Sequence, residues 1–281
     1  MSLPKKLVNS VSFYLDVIRA GTKAADSIFA FRGQSKWDWD LLPRLFRPEF
    51  KNVLASEREL IRDALSLHPE EFENDASMFE RLARMQHYGI PTRLLDLTAN
   101  PLTALYFAVR DPTYDSEHAS VHIVVSSKTR RKFFDSDALS CITNLCNLSA
   151  DERQELASLS YTDRSAFNAA SISDRLVQFI KSEKPYFRPE IDPVDLYRTC
   201  FVMPRLKNRR LIAQEGRFVV FGLDSHASSP SYDRSIKLKK LVIDAKAKKT
   251  IRNELLTLGV NEASLFPEIE SAAGFLISRY R

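Results

Sequence analysis

The sequence predicts an α+β fold, with a mixed or largely antiparallel sheet flanked by helices and interrupted by a helical insertion. Three observations carry this expectation. Segments of helical and strand period follow one another in irregular order, without the regular strand–helix alternation of a doubly wound sheet. Apolar residues make up 44% of the 281, enough to bury a sizeable core. From about 133 to 190 the pattern turns polar and helical, which reads as an insertion or subdomain within one domain spanning 1–281.

Each element follows from its own pattern. Val8, Val11, Tyr14, Leu15 and Ile18 recur at helical spacing, and Ile28 to Phe31 suit a short buried strand ending at Arg32 and Gly33. A loop with Trp37, Trp39 and Pro43 follows, then helices near Ala55 to Leu67 and Ser77 to Tyr88, the second stopped by Gly89 ahead of Pro91. Thr92 to Leu97 returns as a strand. Asn100 caps a helix that opens with Pro101 and turns Leu102, Leu105, Tyr106 and Val109 to the core. Val121, Ile123 and Val125 alternate as a strand. After the insertion, strands are expected at Leu196 to Val202, Phe218 to Phe221 and Leu238 to Ile243, before closing helices at Ala247 to Leu258 and Glu262 to Tyr280.

The formal net charge is +5, with a late surplus at Arg205 to Arg217 and again at Lys237 to Arg252. Such a surplus suits an anionic partner, nucleic acid included; the second group is read first as a strand followed by the wet face of a helix. Three cysteines with no CxxC spacing read as buried thiols in a reducing compartment. No apolar run is long enough to span a bilayer and no leader pattern opens the chain, so the expectation is a cytoplasmic protein without a membrane partner. No glycine-rich phosphate loop, GxSxG or HExxH occurs. His118 and His122 would lie about 13 Å apart along a strand, so no metal site is expected.

Three polar segments carry the candidate chemistry. Arg32 ends an apolar strand, and Gly33 leaves room for a ligand or a second backbone. Its guanidinium suits a phosphate or carboxylate, or else a buried structural partner such as Asp96. Gln86, His87 and Tyr88 end a helix at a fixed turn, where His87 can exchange a proton near neutral pH or bond the last helical carbonyls. In the strand that follows, Thr92, Arg93, Asp96 and Thr98 alternate imperfectly with leucines. Arg93 and Asp96 are separated by an odd number of residues, so they serve different partners or flank a bend. Asp96 is expected to be structural, a carboxylate anchored by Arg32 or Arg93. The third segment runs from Arg210 through Gln214 and Glu215, turns at Gly216 and enters a strand at Phe218.

The tripeptide Phe31-Arg32-Gly33 with Gln34, the run Met85 to Val109, the segment Arg210 to Phe218 and the tail Lys249 to Ile269 together resemble the FRG domain family. The resemblance implies a fold and a set of site residues, and a bacterial or phage-associated protein; it implies no settled biochemistry. The order of the three segments is also similar to that of ADP-ribosyltransferases, through Arg32, then Thr98 with Asn100, then Gln214 or Glu215. The Ser-Thr-Ser of that family is replaced by Asp96-Leu97-Thr98, and Glu215 directly follows Gln214. The second resemblance implies NAD as a candidate substrate and a carboxylate, Asp96 or Glu215, near the ribose.

The expected site is therefore an arginine-rich pocket for a phosphorylated nucleotide. Glu215 and His87 are its candidate catalytic groups. Arg32, Gly33, Gln34, Gln86, Tyr88, Thr92, Arg93, Thr98, Asn100, Arg210 and Gln214 are its candidate ligand contacts, and Asp96, Gly216 and Phe218 its frame. A non-catalytic nucleotide or nucleic-acid binding module, and a purely structural Arg-Asp-Gln network, stand beside that reading.

Overall fold

A computed structural model describes residues 6–160, 162–223 and 236–267. The strands are β1 (Ser27–Gln34), β2 (Leu94–Thr98), β3 (Ala119–Ser127), β4 (Lys132–Phe133), β5 (Thr199–Met203), β6 (Gly216–Phe221) and β7 (Ile236–Ile243). The helices of the first half are α1 (Val11–Gly21), α2 (Lys51–Ala55), α3 (Glu57–Leu67), α4 (Pro69–Phe72), α5 (Met78–His87) and α6 (Pro101–Val109). Between β4 and β5 run α7 (Asp137–Thr143), α8 (Ala150–Ser158), α9 (Arg164–Ala169), α10 (Ser171–Glu183) and α11 (Pro193–Leu196). Then follow α12 (Arg209–Ala213), α13 (Lys248–Thr257) and α14 (Glu262–Leu265). The last helix, expected from Glu262 to Tyr280, stops at Leu265, because Phe266 leaves the helical range (φ −127°, ψ 84°); the part from 268 onward lies outside the described residues.

The strands form one seven-stranded sheet in the order β4-β5-β6-β2-β1-β3-β7. Only β4 and β5 pair in parallel; the other neighbours are antiparallel, so the fold is α+β with a mixed, largely antiparallel sheet. Cross-strand partners share a face. Phe31, paired with Ile123 and Thr98, marks the face packed by helices. Its outer half lies under α1, α6 and α13, its other half under α3, α5, α7 and α10. On the opposite face, Ala30, Leu95, Val124 and Val219 are covered by Leu41, Leu42 and Phe46 of the segment after β1.

Three departures from the expected elements have clear causes. The helix expected from Ala55 breaks at Ser56, whose φ of −104° and ψ of 28° leave the helical range. Leu196 ends α11 instead of opening β5. The buried face of α6 is Thr103, Ala104, Leu105, Ala108 and Val109, rotated away from Leu102 and Tyr106. Close approach to β1 selects that face. A Cβ on Gly33 would lie 1.9 Å from the Ala104 carbonyl oxygen and 2.6 Å from the Ala108 nitrogen, so only glycine opposite alanines lets the helix settle there.

Of the late basic residues, Lys237, Lys239, Lys246 and Lys249 are exposed, but two are engaged in structure. Lys248 is fully buried, and its ammonium donates to the carbonyls of Ser35 (2.9 Å) and Tyr114 (2.6 Å). Arg252 is ion-paired to Asp115 and donates to the Val109 carbonyl. Together they pin α13 to the ends of β1 and α6. The three cysteines are buried and free, and burial pushes the Cys141 thiol up to about 12. No helix among the described residues is long and apolar enough to cross a membrane.

Candidate functional site

The site forms where β1 and β2 part. Their ladder holds a single register pair, Phe31 with Thr98. Beside it Arg32 Nη1 donates to the Asp96 carbonyl at 2.7 Å and to the Asp96 carboxylate at 2.5 Å, so a guanidinium ties the two strands together. Gln86 Nε2 donates to the same carboxylate oxygen at 2.7 Å, and its Oε1 accepts from the Thr92 hydroxyl at 3.2 Å. Asp96 is thus anchored by Arg32, and Arg93 goes elsewhere. The Asp96 side chain nonetheless keeps 56% of its surface. Dense surrounding protein works to raise its pKa, but the charge and hydrogen bond of Arg32 outweigh this and hold the carboxyl below its ordinary range.

Two cavities share Arg32 and Asp96 as a common wall. The larger, about 250 Å³, adds Arg44, Arg47, Gln86, Gly89, Ile90 and Thr92. The smaller, about 100 Å³, adds Gly33, Thr98, Gln214, Gly216 and Phe218. All three polar segments of the sequence therefore meet at the Arg32–Asp96 pair. In the second cavity the Thr98 hydroxyl donates to the Gln214 carbonyl (2.6 Å), and the Gln214 amide donates to the Leu265 carbonyl (3.0 Å). Phe218 packs edge-on against Phe79.

The turn after α5 fixes one side of the larger cavity. Gly89, at φ +82°, donates to Gln86 and Ile90 donates to Met85, which is a Schellman stop. Arg44 clamps this turn by donating to the Gly89 carbonyl at 2.9 Å, with its guanidinium 4.8 Å from the Phe50 ring centre. Arg47 has no side-chain hydrogen bond or ion pair among the described residues. Burial and the like charges of Arg32 and Arg44 push its guanidinium below its ordinary pKa. Three arginines thus face one carboxylate in this cavity. Arg44 and Arg47 were not singled out as a pair by the sequence. Their signal is the spacing in Pro43-Arg44-Leu45-Phe46-Arg47-Pro48, two arginines three apart between prolines.

Several expected site residues lie elsewhere. Arg93 is in the core, paired to Glu57 through both Nε (2.9 Å) and Nη2 (2.5 Å), with Nη1 donating to the carbonyls of Phe221 and Gly222. Arg153 approaches the same Glu57 at 3.4 Å, making an Arg-Glu-Arg cluster in which Arg93 is buried away from both cavities. The buried Gln34 commits its amide to the Asp40 carbonyl. Asn100 spends its oxygen on capping α6 at Leu102 and Thr103, and its amide donates to the Glu215 carboxylate at 3.1 Å.

Glu215 itself occupies a left-handed backbone turn, φ +48°, is exposed, and lines neither cavity. The turn directs its carboxylate to Asn100. Arg210 stacks 4.7 Å from the Phe266 ring centre and lowers the Asp96 pKa through its charge without lining either cavity. His87 and Tyr88 lie edge-on to each other, and the Tyr88 hydroxyl donates to Glu71; neither residue lines either of the two cavities. Asp96, expected as frame and, with Glu215, as one of two candidate carboxylates near a ribose, is the one carboxylate lining both cavities.

His118 Nδ1 accepts from the Ala245 amide, whereas His122 lies against Ser120. Among the described residues no group of three or more His, Cys, Asp or Glu side chains is placed to hold a metal ion.

Residues 27–117 match the family model of the FRG domain. The chain therefore carries an FRG domain over the span that holds Arg32, Arg44, Arg47, Gln86, Thr92 and Asp96. No curated protein matches, and no solved structure matches.

Proposed function

We propose that this FRG-domain protein binds a phosphorylated nucleotide, with the phosphates seated on Arg32, Arg44 and Arg47. The surplus of positive charge in the larger cavity carries this reading: three arginines against Asp96, with Arg47 half-buried and unpaired. A buried cation without a partner is costly, and a phosphate oxygen supplies the missing acceptor through a charge-assisted, bidentate bond. Gln86 and Thr92 line the same cavity and hold its polar side in place.

A second reading, cleavage of NAD at the ribose, rests on Asp96. Its carboxyl stays ionised in the cavity and can face positive charge developing on a sugar, a role for which Asp96 and Glu215 were the two candidates. Nicotinamide release by the wild type and its loss in Asp96→Asn, with binding retained, supports this reading; no release by the wild type removes it. A nucleic-acid interface has less behind it. Lys207 is paired to Glu80, Arg205 and Arg210 stack on Phe134 and Phe266, and Trp39 packs on Tyr114.

The testing experiment is thermal unfolding with NAD, ADP-ribose or ATP at millimolar concentration. A ligand present at a hundred times its Kd raises the midpoint by about 5 °C in a domain of this size. A shift in the wild type that is lost in Arg47→Ala supports the reading. No shift with any of the three rejects it.

A further inference from the structure

We infer that the apolar pocket beside the arginine cavity takes the base of the same nucleotide and selects an amino-bearing purine. This deepens the proposed function and rests on it. The pocket, about 480 Å³, is walled by Leu60, Leu67, Phe72, Tyr88 and Ile90. Ile90 also lines the arginine cavity, as does Gly89, so the wall between the two is the Tyr88-Gly89-Ile90 turn that Arg44 clamps. One ligand crossing that turn fills both.

Charge orients that ligand. The apolar pocket carries two carboxylates, Asp63 and Glu71, among its lining residues, and these disfavour a phosphate inside that pocket. Asp63 has no hydrogen bond or ion pair among the described residues. Glu71 accepts the Tyr88 hydroxyl on Oε2, which leaves Oε1 to accept another donor. An ionised carboxylate can only accept. The exocyclic amine of adenine, or the amine of guanine with its neighbouring ring N–H, presents donors to such a group, whereas uracil presents two carbonyls around a single N–H. Tyr88 is 53% exposed and offers a ring for stacking. The pocket thus gives Tyr88, which the arginine cavity does not use, a role.

The test is calorimetric titration of the full chain with pyrophosphate, adenosine, guanosine, ADP, GDP and UDP. Wild type is compared with Glu71→Gln and with Leu67→Ser, the latter at a position 73% exposed and so safe for folding. ADP or GDP should bind about tenfold or more tighter than UDP and pyrophosphate. Each variant should lose that advantage while pyrophosphate affinity stays unchanged. UDP binding as tightly as ADP and GDP, or an advantage that survives both variants, overturns the base pocket and leaves the anion reading standing. Adenosine or guanosine binding that Glu71→Gln abolishes, without any binding of pyrophosphate, keeps the base pocket and removes the anion reading. Absence of binding by all six overturns both.

Discussion

At the scale of single residues, Arg32 and Gly33 do separate work. Arg32 bonds across a strand gap, while Gly33 admits α6. Gly33→Ala forces a methyl group against helix backbone 1.9 Å away, and backbone cannot swing aside as a side chain can. We expect a loss of at least about 3 kcal/mol in urea denaturation; a loss under about 1 kcal/mol would show that α6 can retreat. His122 sets a different prediction. It shares the Arg32 face of the sheet, and burial, then the charges of Lys240 and Arg32, lower its pKa from 6.5 to about 3. The unfolded chain takes up a proton below 6.5 that the folded chain refuses until about 3. Stability is therefore complete above 6.5 and falls with pH across that window, by up to about 1.4 kcal/mol per pH unit. His122→Gln should remove this slope relative to wild type, and an unchanged slope would contradict the buried neutral state.

The sequence made some residues legible and hid others for physical reasons. Arg32, Gln86, Thr92 and Asp96 stood out because polar groups at strand and helix ends have few places to point. Arg93 looked equivalent, since an arginine beside leucines reads alike whether it faces a ligand or a buried glutamate. Its partner Glu57 was invisible, because Glu57 and Glu59 look like ordinary acidic residues in the first turn of a helix.

At the scale of elements, caps and stops were the most readable features. Asn100 and Pro101 opened α6 and Gly89 closed α5 because their local bonds need no tertiary partner. Helix rotation was not readable in the same way. The buried face of α6 depends on a glycine some seventy residues earlier in the chain, and hydrophobicity alone favoured Leu102 and Tyr106. The Arg93-Glu57-Arg153 cluster ties α3, the start of β2 and α8 of the helical segment between β4 and β5. Glu57→Ala leaves the buried Arg93 and the half-buried Arg153 without their carboxylate and should lower stability by about 3–5 kcal/mol. A change under about 1 kcal/mol in chemical denaturation would mean that carbonyls and water satisfy both.

At the scale of the whole molecule, the sheet brings one end of β1 and β2 together with the segment after β1, so that arginines far weaker as a sequence signal than the FRG tripeptide converge on it. The α+β class and most strands were legible from period and order. The convergence was not, because it depends on register and on where the 41–47 segment folds back over the sheet. Of the late basic residues, Lys248 and Arg252 are engaged in structure, while Lys237, Lys239, Lys246 and Lys249 are exposed; within the larger cavity, the arginine without a side-chain hydrogen bond or ion pair among the described residues is Arg47.

The most direct measurement is the affinity of wild type and Arg47→Ala for ADP, at one fixed ionic strength, with the unfolding midpoint of each recorded alongside. The anion reading predicts a ligand-free midpoint in Arg47→Ala no lower than in the wild type and at least about tenfold weaker binding, one charge-assisted bond lost. Equal affinities, or no binding by the wild type at millimolar ADP, would contradict it.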